Sequence, residues 1–145
     1  ERINRLNISA AIEAREKTGA NVSVAGSISH VLPFTDGVEG AKQQPNISLE
    51  ALTNCYNEMI SIFERERVDL ILLEMMSIPA RMTPLFDCAN QSKLPIWCGL
   101  SAKRETPSAP LTSWHDTSVS FENIVIQACQ SGVGYQQKEK PRWLH

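Results

Sequence analysis

Val68-Asp-Leu-Ile-Leu-Leu-Glu74 is an apolar run that stops at a carboxylate. A strand this apolar belongs in a parallel sheet covered by helices, and such sheets carry their chemistry at the C-terminal ends of the strands. Glu74 therefore stands where a ligand is met. Because it follows Ile71-Leu-Leu73, its carboxylate is expected to be partly desolvated and to need a cation or several hydrogen-bond donors.

Outward from this run the apolar period alternates between helix and strand. Residues 2–18 read as a helix with Ile3, Leu6, Ala10 and Ala14 on one face and Gly19 as its stop. Val22–Ser27 is a short strand. A helix begins near Ser48, a natural N-cap, and carries the stripe Leu49, Leu52, Tyr56, Met59, Ile60 and Phe63. A third helix falls within residues 79–92, where Pro79 and Pro84 blur its start. Leu94–Ser101 is a third strand, and Phe121, Ile124, Val125 and Ala128 mark a fourth helix. The order α-β-α-β-α-β-α predicts a parallel sheet with right-handed crossovers. Helix-to-strand joints are short, whereas the joints at 28–47 and 102–118 are long. Elaborated loops therefore gather where strands end, the working end of a (β/α)8 barrel or doubly wound sheet.

Composition narrows the function. The 145 residues hold 42% hydrophobic and 21% charged side chains with a net charge of -2, as in a soluble globular protein with one core. The basic residues are scattered, so neither nucleic acid nor an anionic membrane is an expected partner. No apolar run reaches the ~18 residues of a membrane span, and no signal peptide is visible, so a cytoplasmic location is expected. Cys55, Cys88, Cys98 and Cys129 form no C-x-x-C pair and read as free thiols in a reducing compartment, with no metal site of their own. The chain opens at Glu1 inside a helix and closes with the aperiodic Tyr135–His145. This pattern predicts a piece of a longer protein: a barrel domain over 1–132 and a polar tail over 133–145.

The three strands end in Gly26-Ser27, in Glu74 and in Gly99-Leu-Ser101. Glycine there lets a ligand approach the backbone and hydroxyls orient a polar substrate, although turn chemistry explains the same residues. For Glu74 the plain alternative is an internal ion pair with Arg81 or Lys103. His30 lies three residues past Ser27 and reads as a solvated loop histidine, His115 says less, and Asp36-Gly37 reads as a turn. Met75-Met76 suits either packing or the wall of an apolar pocket. Phosphate-loop, dinucleotide, zinc-protease and serine-hydrolase motifs are all missing.

Val24-Ala-Gly-Ser27, Asp69-Leu-Ile-Leu-Leu-Glu-Met75 and Leu94-Pro-Ile-Trp-Cys-Gly-Leu-Ser101, in this order, resemble the homocysteine S-methyltransferase family. The resemblance extends from residue 1 to about residue 132 and includes the opening helix segment Asn4–Arg15. It implies a (β/α)8 barrel that moves a methyl group onto the thiol of homocysteine or a related amino-acid thiol, forming methionine in the first case. It implies zinc, held by cysteine thiolates, as the cofactor. It assigns to Glu74 the amino group of the substrate and leaves Ser27, Gly26 and Ser101 to line the same pocket. The family's zinc cysteines belong to N-C and G-G-C-C motifs on later strands, before which this sequence stops, and Cys129 matches neither. The chain then corresponds to roughly the third to fifth strands of a partial barrel, inactive by itself, since a whole barrel takes ~250 residues. Its two raw sheet edges leave a homo-oligomer open. Glu74-Met75 stands where the family often has E-T, so the methyl donor is undetermined. Two other readings fit the same residues: a non-catalytic barrel remnant or assembly module, and an aldolase-like barrel enzyme using Lys103.

Overall fold

The structure, a computed structural model, describes residues 1–30 and 47–133. Helix α1 spans Arg2–Thr18 and stops at Gly19, whose φ of 63° is the left-handed conformation that glycine adopts without a Cβ penalty. Strand β1 (Ala25–Ile28) is followed by α2 (Leu49–Arg65), whose Ser48 cap accepts a hydrogen bond from the Ala51 amide at 3.1 Å. Strand β2 (Leu70–Met76) leads to α3 (Pro79–Asn90), with Pro79 in the first turn, where a missing N–H costs nothing. Strand β3 (Ile96–Leu100) is followed by two short strands, β4 (Ala102–Lys103) and β5 (Thr112–Ser113), and by α4 (Phe121–Gln130).

The strands β1, β2 and β3 form one parallel sheet in sequence order, with Ser27 beside Leu72 and Leu72 beside Trp97. This is the α/β architecture expected, and it is consistent with part of a barrel. One face carries Ile28, Ile71 and Leu73, all buried in a core with Tyr56 and Phe63 of α2, Leu85 and Phe86 of α3, and Ile124 of α4. Burying a side chain of this size is worth ~1.5–3 kcal/mol, so this face holds the domain together. The other face carries Ser27, Glu74 and Trp97, all exposed among the described residues.

Several expectations need correction. On α1 the buried residue is Ile8, supported by Ile12, whereas Ile3 and Leu6 are 74% and 59% exposed. The helix is too polar for its apolar positions to define one face, so contact with the rest of the fold chose another. Strand β2 begins and ends two residues later than the apolar run. The antiparallel pair β4 and β5 was not foreseen, because two-residue strands have no period to read. Asp69, the one charge inside the run, clamps the N-terminal end of the sheet: it accepts from Arg15 Nη1 at 2.5 Å and from the Val24 amide at 2.6 Å. Asp36-Gly37 and the tail from residue 134 lie outside the described residues. No described helix is long and apolar enough to cross a membrane.

Candidate functional site

The C-terminal end of β2 carries an irregularity that the sequence does not announce. Leu73 pairs with Cys98 and Met76 with Leu100, so three residues of β2 advance against two of β3. The extra residue is a bulge, a device that re-aims side chains at strand ends. Met75 absorbs it with φ of 58°, uncommon for a residue with a side chain and costing about 1–2 kcal/mol. As a result Glu74 and Met75 both face outward, and Met76 returns to the core fully buried.

Glu74 accepts a hydrogen bond from the Ser27 hydroxyl of the neighbouring strand. It is exposed, not partly desolvated as expected, because nothing described covers this face of the sheet. None of the ion pairs among the described residues involves it. Ser101 lies at the end of β3, where its amide donates to the Met76 carbonyl at 3.0 Å. It lines a cavity of about 320 Å³ together with Met75, Ser77, Leu100, Ala102 and Trp114. Ser27, Glu74 and Ser101 thus lie near the C-terminal ends of three adjacent strands. Gly26 is placed differently: it is buried toward α2, where a Cβ would stand 2.5 Å from the Phe63 ring. Helix packing, not ligand approach, demands the glycine. Lys103 is half-buried on β4.

Behind the mouth lies a buried polar group that sequence reasoning missed. His30 is 3% exposed, not solvated, and its Nε2 accepts from the Ser77 amide at 3.3 Å. Burial, then the positive charges of Arg81 and His115, push its pKa down to about 4. Burial is also the first cause that lowers the pKa of His115, followed by Arg81 and Lys103. The Ser113 hydroxyl donates to the Ser77 carbonyl at 2.6 Å and accepts from the His115 amide at 3.2 Å. A signal was available in the sequence: two residues past the end of a strand, a polar side chain still lies within reach of the next strand's end.

The four cysteines do not come together as a zinc site. Cys55 is on α2, Cys88 on α3, Cys98 on β3 and Cys129 on α4, each as a free thiol. Burial pushes the Cys98 thiol up to about 11 and raises that of Cys88, which disfavours the thiolate that zinc binds. No group of three or more metal-ligating side chains converges among the described residues. These residues do not fit the metal.

Parallel strands with polar side chains gathered at their C-terminal ends, backed by helices, define an α/β protein of the kind that binds ligands at that edge. Residues 1–133 match the sequence model of the homocysteine S-methyltransferase family, and the chain belongs to that family. Membership points to a methyltransferase. No curated protein matches the chain.

Proposed function

We propose that this chain supplies the amino-acid-binding edge of a homocysteine S-methyltransferase-like enzyme, with Glu74 receiving the ammonium group of homocysteine or a related amino-acid thiol. The observation that carries the reading is the exposed Glu74 carboxylate at a strand end, oriented by Ser27 and outside the ion pairs of the described residues. A carboxylate held this way makes a charge-assisted bond to an ammonium. Ser101 and the cavity beside Met75 and Trp114 extend the site toward the rest of the substrate. The reaction is a methyl transfer. The thiol gives its proton to water, a sulfur lone pair attacks the methyl carbon, and the bond from that carbon to the donor breaks, with its electron pair leaving on the donor. The free thiols suit a reducing cytoplasm.

Zinc, which the family resemblance implied, has no ligand set among the described residues, so no step is assigned to it. A second reading is a non-catalytic barrel remnant or assembly module whose pocket no longer binds homocysteine. Titration of homocysteine against the full chain and its Glu74→Gln variant separates the two. The enzyme reading expects affinity to fall by about tenfold, the loss of one charge-assisted bond. An equal dissociation constant for both proteins removes Glu74 from the site.

A further inference from the structure

The bulge in β2 creates an accounting problem for the backbone. Pairing between β1 and β2 ends at Ile28 and Leu73, so among the described residues the peptide groups after Glu74 have no partner strand on that side. A buried amide without an acceptor is costly. Ser77 is fully buried. Its N–H meets His30 Nε2 at 3.3 Å, and its carbonyl accepts from Ser113 Oγ at 2.6 Å. His30 lies two residues beyond the end of β1, so the imidazole takes the place of the missing strand. Ser77 lies two residues past Met75, the positive-φ residue. The C-terminal side of the strained turn that exposes Glu74 is therefore held by this side chain.

We propose that His30 is a positioning residue for Glu74: by accepting the Ser77 amide it ties the bulged end of β2 to β1 and holds the carboxylate at the site. The consequence for binding rests on the reading that Glu74 takes the substrate ammonium; the structural role does not. Accepting an N–H requires an unprotonated Nε2, which burial beside Arg81 and His115 favours at neutral pH. A peptide in the left-handed conformation relaxes when its clamp is removed, since nothing intrinsic to methionine favours it. Glu74 would then lose its fixed distance to Ser27.

The test compares the full chain with His30→Leu, which removes the acceptor at similar volume, and His30→Gln, whose amide oxygen overlies Nε2. Amide hydrogen exchange over residues 74–77 is measured in each. His30→Leu is expected to exchange at least tenfold faster there, with His30→Gln close to the parent. Affinity for homocysteine and for 4-sulfanylbutanoate, the same thiol acid without its amino group, is measured alongside. The preference for homocysteine is expected to shrink about tenfold in His30→Leu and to survive in His30→Gln. Should His30→Leu fail to fold, His30→Asn, whose shorter amide does not reach Ser77, takes its place with the same expectations. Unchanged exchange, equal effects in the leucine and glutamine variants, or faster exchange with an intact amine preference each overturn the proposal. A parent chain with no amine preference sinks the Glu74 reading instead, and hydrogen exchange then decides the role of His30 by itself.

Discussion

The Ser27 hydroxyl at the end of β1 donates its hydrogen to the Glu74 carboxylate at the end of β2. The contact crosses 47 residues of sequence and joins two adjacent strands at their C-terminal ends. It leaves one carboxylate oxygen for a ligand while fixing the direction in which the group points. An exposed glutamate otherwise samples many rotamers, and ordering it on binding opposes affinity.

Ser27→Ala therefore weakens homocysteine binding less than Glu74→Gln does. The charge stays and only its orientation is lost, so the dissociation constant rises about three- to tenfold, near the net value of one hydrogen bond of ~1 kcal/mol. Calorimetric titration of the two variants in parallel checks the ranking. A larger loss in Ser27→Ala than in Glu74→Gln contradicts it.

Gly26→Ala tests the packing assignment. Its Cβ would meet the Phe63 ring at 2.5 Å, so ring or strand must shift, at about 1–3 kcal/mol. Chemical denaturation should show the loss, and pairing the change with Phe63→Leu should recover part of it. A Gly26→Ala protein as stable as its parent rules out this contact.

Stability should fall on the acid side. His30 stays neutral in the fold down to about pH 4, whereas an unfolded histidine takes its proton near 6.5. Between those values the unfolded chain binds more protons, so unfolding free energy rises with pH. The contribution is complete above the unfolded pKa and is lost as the pH drops toward 4, on the order of 3 kcal/mol. His115, with a pKa lowered for similar reasons, acts in the same direction. Urea unfolding from pH 7.5 to pH 4 reads the slope, and His30→Gln should flatten it; an equal slope in that variant refutes the assignment.

Asp69→Asn separates stability from function. Asp69 holds Arg15 and the Val24 amide at the N-terminal end of the sheet, opposite Glu74. Replacing its charge should cost about 1–2 kcal/mol, because both bonds are charge-assisted and the pair is partly solvated. Homocysteine affinity should not change, since the carboxylate lies at the other end of β2. A binding defect equal to that of Glu74→Gln would show that the two ends are coupled.

Much of this was legible in the chain. Of the stripe Leu49, Leu52, Tyr56, Met59, Ile60 and Phe63 predicted as the buried face of α2, Leu52, Tyr56, Ile60 and Phe63 are buried, Met59 is half-buried and Leu49 is exposed. Ser48 and Gly19 marked helix ends through capping chemistry that depends only on neighbouring residues. The stripe assigned to α1 was not the buried one, since Ile8 and Ile12 turn inward there. A helix with few apolar positions takes its orientation from what it packs against.

The residues by themselves determined an α/β order, strands of parallel type and a carboxylate at the end of the central one. Each follows from side-chain period and local caps, which neighbouring residues impose on one another. Only the folded molecule decided that Met75 would turn left-handed, that Met76 would point inward and that His30 would be buried. Those outcomes depend on acceptors and donors brought from distant positions, His30 for the Ser77 amide and Ser113 for its carbonyl. A bulge changes which face every later residue meets, and its cause lies across the sheet, where no local pattern records it.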